Sequence, residues 1–317
     1  MKEPMVERVI ITGIGGSGAT YLSEYILENH PEVEVHGFGR WHSSQGRYID
    51  PGIVYHEVDL LDLSSVIRGI RMSWPSAIFH MASHANVRSG FDTPLSVLQN
   101  NIMGTANLLE AVRLNYLKPI FVMCSSSEVY GQVDPKNVPI KETCPVNPAS
   151  PYAVSKLAQD ALSHTYFLNY KIPVVRTRMF TYFNPRRSDL FATSFARQVV
   201  EIERGTRREL VHGNLDSVRT LIDIRDACSA YWKALTCKPG EIYNIGGENT
   251  ATVGDILDLL KTYAKCPIPS RQDPALFRPT DVTLQIPDST KFREATGWSP
   301  YYTLGQSIEH LLEHLRK

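Results

Sequence analysis

Tyr152 and Lys156 stand four residues apart in the stretch SPYAVSKLAQD. On an α-helix that spacing puts both side chains on one face, with Cβ atoms about 5–6 Å apart. An ammonium beside a phenol stabilises the phenolate and draws the tyrosine pKa down from its ordinary value near 10. A phenol tuned in this way can take or return a hydroxyl proton as a general base or acid. The second stretch with chemical potential is Ser125-Ser126-Ser127-Glu128-Val129-Tyr130-Gly131, directly after the apolar run PIFVMC. That run reads as a buried strand, and its carboxyl end is where open α/β sheets bind their ligands. A serine hydroxyl there can hydrogen-bond a reacting oxygen, and Glu128 can act as a base. Strand-ending serines with a helix-capping glutamate have the same composition, and Tyr-x-x-x-Lys is common by chance. Their weight comes from occurring together with a third feature.

The third feature is the cluster Gly13-Ile14-Gly15-Gly16-Ser17-Gly18-Ala19, between the strand-like VERVIIT and the helical TYLSEYILEN. Glycines at a strand-to-helix turn let backbone approach a pyrophosphate, whose charge the helix N-terminus holds. Gly13 and Gly16 fit a G-x-x-G-x-x-G register, with Ala19 in the third place and Ser17 and Gly18 beside it; that third place admits Gly or Ala. A nicotinamide dinucleotide in this turn would bring a second positive charge to Tyr152 in its oxidised form. The second strand ends His36-Gly37-Phe38-Gly39-Arg40-Trp41, without a carboxylate for a ribose 2′-hydroxyl. Arg40 suits a 2′-phosphate, so the expected cofactor is NADP, with NAD possible. Asp59 and Leu60 fall where a third strand ends and could meet the adenine; capping of a helix by Asp59 is the other reading.

These residues require a scaffold of strands alternating with helices, and the first half of the chain has that rhythm. Val6–Thr12, Val33–Phe38, Ala77–Met81 and Ile120–Cys124 read as strands; Ala19–Asn29, Ser64–Ser73 and Ile102–Asn115 read as helices. Short apolar strands separated by helices form βαβ units, and right-handed crossovers make them a Rossmann-type doubly wound parallel sheet. Past residue 180, proline-containing loops mix with short strands (Glu209–Val211, Glu241–Ile245) and helices (Ser194–Arg204, Asp226–Thr236, Val253–Tyr263, Ser307–Leu315). The expected architecture is α/β, with a cofactor domain over residues 1–180 and a smaller mixed α/β substrate-binding lobe over 181–317. No linker marks the boundary, so the chain is expected to cross back between the lobes.

Composition narrows the function. The 317 residues carry 33 basic and 33 acidic side chains, so the formal charge is zero and the basic face of a nucleic-acid binder is missing. No apolar run approaches a membrane span, and the N-terminal residues run straight into a strand-like segment, so neither a transmembrane helix nor a signal peptide is expected. Five scattered cysteines without a C-x-x-C pattern read as reduced thiols in a cytoplasmic protein. The histidines make no H-x-x-x-H or H-E-x-x-H pattern, so no metal site is expected, and no G-x-S-x-G elbow supports a hydrolase.

The glycine turn, the strand-end serines and Tyr-x-x-x-Lys, in this chain order, resemble the extended short-chain dehydrogenase/reductases, the nucleotide-sugar epimerase/dehydratase superfamily, over essentially the full length. The resemblance implies roles for Gly13, Gly16 and Ala19 at the pyrophosphate and for Arg40 at the 2′-phosphate. It further implies roles for Asp59 and Leu60 at the adenine and for Ala82, Ser83 and His84 along the cofactor. Ser126, Tyr152 and Lys156 match the family's catalytic triad. A homodimer or homotetramer built on the helices Ile102–Asn115 and Ala153–Asn169 is implied too, with Leu157, Ala161 and Leu162 as candidate contacts.

Within the superfamily, VHGFGRWHSS, NPRRSDLFATSFARQ and DPALFRPTDV are similar to GDP-mannose 4,6-dehydratases. FARQVVEIERG and GNLDSVR…IDIRDACSAYWKAL are similar to GDP-4-keto-6-deoxy-mannose reductases. Both imply a nucleotide-diphosphate sugar, a GDP-linked hexose, as substrate. Dehydratases usually carry threonine where this chain has Ser126, and a substrate-contacting asparagine where it has Thr181. The glutamate needed for elimination is present as Glu128, followed in the site by Ser127 as a substrate contact. Arg187, Arg219 and Arg278 are candidates for the diphosphate, since guanidinium–phosphate pairs are bidentate. The expected reaction is therefore a 4,6-dehydration; a reductase, an epimerase or a non-catalytic NADP-binding regulator are the alternatives.

Overall fold

The computed structural model describes residues 5–40, 49–277 and 283–317. Seven parallel strands form the main sheet: β1 (Arg8–Thr12), β2 (Glu34–Gly39), β3 (Ile53–Glu57), β4 (Ala77–His80), β5 (Ile120–Ser126), β6 (Val174–Met179) and a strand from far downstream. That strand is β10 (Ile242–Ile245), which pairs with β6 and gives the order β3-β2-β1-β4-β5-β6-β10. The order reverses between β1 and β4, so the crevice at their carboxyl ends is the ligand-binding position of a doubly wound sheet.

Helices α1 (Ser17–Asn29), α2 (Leu63–Ser73), α3 (Val87–Asp92), α4 (Pro94–Leu98), α5 (Gly104–Leu114) and α6 (Pro151–Tyr170) belong to this unit. One face of the sheet buries Val9, Ile11, Val35, Phe79 and Val122 with Leu22 and Ile26 of α1. The other buries Ile10, Phe38, Ile78 and Phe121 with Val66, Ile70, Leu108 and Val112 of α2 and α5. Both faces are covered, which is why the strands read as unbroken apolar runs.

Two departures from the sequence expectation bear on function. Strand β5 runs on to Ser126, two residues past the expected end at Cys124, so Ser126 is held by the sheet ladder opposite Met179. The expected helix Ile102–Asn115 is entered through a π turn, Gln99–Met103, and only Gly104–Leu114 is regular α-helix. The buried amide of Asn101 lies in this wider turn; such turns are frequent at functional sites.

The smaller lobe is built on β7 (Thr181–Phe183), β9 (Val218–Asp223), β11 (Thr250–Thr252) and β13 (Leu284–Gln285), with β8 (Leu210–His212) paired to β12 (Ser270–Gln272). Its helices are α7 (Phe191–Glu203), α8 (Ile224–Lys233), α9 (Val253–Thr262), α10 (Thr290–Thr296) and α11 (Leu304–Arg316). Of these, α8 packs on α1 and contributes to the main core. The lobe's own core joins Phe195 and Val199 of α7, Leu257 of α9 and Leu312 of α11. Capping boxes start two of these helices, Thr252 with Asp255 and Thr303 with Gln306.

Candidate active site

Different elements deliver the chemical residues to the carboxyl edge of the sheet. Ser126 ends β5 and caps a short 3₁₀ turn, accepting a hydrogen bond from the Glu128 amide at 3.3 Å. Glu128 is thereby placed one turn from the strand end, half-buried. Ser150 caps α6 by accepting from the Ala153 amide at 3.1 Å, and Pro151 fills the first helical position. Tyr152 and Lys156 then lie on successive turns, both buried. The Ser126 hydroxyl faces the Tyr152 phenol and works to lower its pKa. Lys156 Nζ donates to the Cys124 carbonyl at 2.8 Å and stands 5.8 Å from the centre of the Tyr152 ring.

The electrostatics correct one expectation. Burial pushes the Tyr152 phenol above its ordinary value, and the main opposing charge is Arg187, while Tyr182 and Glu128 reinforce the rise. Lys156 was expected to supply the lowering charge, but its ammonium is turned toward a backbone carbonyl. Burial also brings Lys156 down to about 8. Arg187 is fixed by Asp189, with Nε 2.9 Å from Oδ1 and Nη2 3.1 Å from Oδ2, and it donates to the Ala85 carbonyl at 2.8 Å. Burial works against its charge, yet the bond to Asp189 holds its pKa above the ordinary value. Arg186 points the other way, to Glu24 at 2.9 Å and over the Tyr21 ring on α1.

A cavity of about 580 Å³ joins these groups. Ser126, Ser127, Glu128, Tyr152, Lys156, Thr181, Arg187 and Arg219 line it, with Phe91, Phe191, Phe195 and Phe277 on the apolar side. Ser127 is only 4% exposed, and its hydroxyl donates to Gln285 Oε1 at 2.5 Å, so it shapes the wall with that group committed. Arg219, on β9, donates to the Val218 carbonyl at 2.9 Å. Arg278 lies outside the described residues.

The glycine turn adjoins this cavity at Met81 and Tyr182, which would lie 3.2 and 3.8 Å from a Cβ on Gly18. Gly13 has φ +70°, and its amide and that of Ile14 both donate to the Phe38 carbonyl. A Cβ on Gly13 would stand 2.9 Å from Ala82 Cα, and one on Gly16 would stand 2.9 Å from the Gly13 carbonyl oxygen. Gly16 caps α1 with no side chain, so nothing of the protein's own covers Ser17 and Gly18 at the positive end of the helix from that position. Ala19 is buried in the core and serves the close packing of α1. Two buried hydroxyls on the cavity wall, Ser83 and Ser125, have no protein partner. A small-residue cradle with two orphaned hydroxyls fits a dinucleotide with hydrogen-bonding groups.

Arg40 follows β2, and its charge adds to burial in lowering the pKa of His84. Asp59 accepts from the Leu61 amide at 2.9 Å and the Leu60 carbonyl accepts from Asn107 at 2.8 Å. The helix cap proposed for Asp59 belongs to Asp62, which accepts from the Ser64 amide at 2.9 Å. Sequence reasoning missed Tyr182, Asp189 and Gln285. The i, i+2 charge pair Arg187–Asp189 was a readable signal; nothing local marked the other two. Among the described residues no three His, Cys, Asp or Glu side chains cluster as a metal site, and no helix is long and apolar enough to cross a membrane. All five cysteines are free thiols.

The sheet order, the glycine turn after β1 and the Ser126–Tyr152–Lys156 set define an extended short-chain dehydrogenase/reductase. Residues 10–311 match the family model described as GDP-mannose 4,6 dehydratase, and the chain belongs to that family. It is 30% identical over 311 residues to the GDP-6-deoxy-D-mannose reductase of Pseudomonas aeruginosa, covering 97% of each chain. It is also 30% identical over 350 residues to the GDP-mannose 4,6-dehydratase of Yersinia enterocolitica, covering 97% of this chain and 93% of that one. Among solved structures, RMD from Pseudomonas aeruginosa complexed with NADPH superposes with a TM-score of 0.86 at 28% identity, covering 98% and 99% of the two chains. The UDP-glucose 4-epimerase of Thermus thermophilus in complex with NAD gives 0.84 at 26%, with the same coverage.

Proposed function

We propose that this protein is a nucleotide-sugar lyase that removes water across C5 and C6 of a GDP-linked hexose, with NADP as its resident cofactor and NAD as the possible substitute. The observation that carries this reading is Glu128 sharing one cavity with Ser126 and Tyr152. The bound cofactor supplies the hydride chemistry that makes a ketone at C4. Tyr152 takes the proton of the C4 hydroxyl while Ser126 hydrogen-bonds the same oxygen, and Lys156 holds its place behind them. The ketone acidifies the C5 hydrogen; Glu128 removes that proton and passes it to the C6 hydroxyl, which leaves as water. The double bond so formed would take back the C4 hydride at C6 and a proton, the one held by Tyr152, at C5, so that the cofactor ends as it began. Arg219 and Arg187 are the candidate contacts for the diphosphate, with Thr181 beside the sugar. Arg40 supports the choice of NADP. Residues 1–180 serve the cofactor and 181–317 mainly the substrate, with β10 returning to the main sheet.

The second reading is a 4-keto reductase, favoured by Ser126 where the dehydratases it resembles carry threonine and by similarity to the Pseudomonas reductase. A reductase has no elimination for Glu128 to serve. Incubation of wild type and Glu128→Gln with GDP-mannose, and separately with a GDP-4-keto-6-deoxy sugar plus NADPH, decides between them. The lyase reading expects a 4-keto product without net NADPH consumption and a loss of about 100-fold or more in the variant. Full activity of the variant with stoichiometric NADPH oxidation would replace it by the reductase. No turnover of GDP-, UDP-, dTDP- or CDP-sugars would favour a cofactor-binding regulator.

A further inference from the structure

The segment Ala82–His84, whose Ser83 lines the cavity, is held from behind by a closed ring of hydrogen bonds that passes through His80. The Ala82 amide donates to Thr12 Oγ1 at 3.0 Å, and that oxygen lies 2.9 Å from His80 Nδ1. On the other side of the imidazole, Nε2 lies 2.7 Å from Thr105 Oγ1, whose hydroxyl donates to the Asn101 carbonyl at 2.7 Å. The Asn101 side chain closes the ring on His84, accepting from its amide at 2.8 Å and donating to its carbonyl at 3.3 Å. From the same ring, Asn101 Nδ2 donates to Ser155 Oγ at 2.9 Å, and Ser155 donates to the Tyr152 carbonyl at 2.7 Å. Gln159 Nε2 donates to Thr105 Oγ1 at 2.6 Å and to the Asn101 carbonyl at 3.1 Å. Strand β1 below the glycine turn, the π turn and the helix bearing Tyr152 are thus joined at one histidine.

The pattern favours one tautomer. With the Thr105 proton directed to the Asn101 carbonyl, Thr105 Oγ1 accepts from His80 Nε2 at 2.7 Å. This short contact outweighs the 3.5 Å approach of the Gln159 amide nitrogen to the same ring nitrogen, so the imidazole proton is assigned to Nε2. Nδ1 is then an acceptor, and the Thr12 hydroxyl donates to it while accepting from Ala82. Protonation of Nδ1 would break that donation. His80 is 1% exposed; burial, with the charge of Lys156 on α6 as the facing titratable group, pulls its pKa down to about 3.

We propose that His80 is a positioning residue whose neutral, Nε2-protonated ring fixes the Ala82–His84 loop, and with it the orphaned Ser83 hydroxyl, against a bound nicotinamide dinucleotide. This rests on the reading of the cavity as a cofactor site, and the ring is the rigid link between that loop and the helix of Tyr152. Thr12→Val keeps the shape of the side chain and removes both hydrogen bonds at Thr12. It is expected to weaken NADPH binding, followed by cofactor fluorescence, about tenfold. Thr12→Ser, which keeps the hydroxyl, is expected to restore affinity to within about twofold. Nitrogen-15 spectra of the histidine-labelled wild type are expected to show one imidazole with its proton on Nε2 that does not titrate between about pH 5 and 8, and to lose that signal in His80→Gln. Unchanged NADPH affinity in Thr12→Val, or a His80 ring that titrates in that range or carries its proton on Nδ1, overturns the proposal. If the wild type binds neither NADP(H) nor NAD(H), the cofactor reading fails, and the spectra still decide the state of His80.

Discussion

The ammonium of Lys156 stands 5.8 Å from the ring centre of Tyr152 while donating to the Cys124 carbonyl at 2.8 Å. Lysine is thereby tied to the strand end, and the guanidinium of Arg187 is the cation that most opposes the burial of the Tyr152 phenol. Removing that cation while keeping the volume, as in Arg187→Met, is expected to raise the Tyr152 pKa further and so move the ascending, acid-side limb of the pH–activity profile to higher pH. It should lower kcat/KM near neutrality about tenfold or more, with Arg187→Lys intermediate. A profile unchanged in position would show that Arg187 does not act on the phenol.

The proposed role of Arg40 in cofactor choice is directly testable. Arg40→Ala is expected to raise the NADP dissociation constant about tenfold or more and to leave that of NAD within about twofold, because in the proposed site the guanidinium would meet only the 2′-phosphate. Calorimetric titration with both cofactors measures this. Equal affinities in the wild type would remove Arg40 from the site.

Gly13 is required by two independent constraints: a left-handed φ of +70° and a Cβ position 2.9 Å from Ala82 Cα. Gly13→Ala is expected to cost about 2–4 kcal/mol, combining the left-handed penalty with overpacking. Denaturant unfolding reads this cost; a loss under about 0.5 kcal/mol would contradict the close approach.

His36 and His56 share a 2.8 Å contact between Nδ1 and Nε2 on neighbouring strands. Burial lowers the pKa of both; Glu34 raises both, while Arg8 lowers that of His36. A histidine depressed in the fold binds protons more readily when unfolded. Its contribution to stability is therefore present above the unfolded value near 6.5 and is lost as pH falls through the folded value. The melting temperature is expected to fall between about pH 7.5 and 5, and to fall less in His56→Gln. An identical fall in that variant would assign the effect to other groups.

Of the residues expected at a subunit contact, Leu157 and Leu162 pack inward against the core. Val154, Ala161 and Leu168 are exposed instead, seven residues apart along α6, with Val154 43% and Leu168 51% exposed. A stripe of this kind predicts a helix-to-helix homodimer. Leu168→Glu is expected to give a monomer in sedimentation at micromolar concentration where the wild type gives a dimer; a monomeric wild type would sink the prediction.

The features legible in the chain alone were those whose information is local. A glycine cluster after an apolar run specifies a tight turn at a helix start. A four-residue spacing places Tyr152 above Lys156 once Ser150 and Pro151 start the helix, and alternating apolar segments specify a parallel sheet with two covered faces. These follow from backbone geometry over a few residues, and the family resemblance rested on them. Tertiary structure decided what depends on distant neighbours. Ser127 meets Gln285 across 158 positions, and β7 and β13 are too short to have a period. The π turn exists only in the packing around Asn101, and β10 reaches the main sheet from beyond the second lobe's first strands. Charge behaved the same way. A spacing says that an ammonium is near a phenol, but whether the phenol gains or loses acidity depends on burial and on which cation faces it. In this protein that cation is Arg187, brought to Tyr152 by the fold from 35 residues downstream.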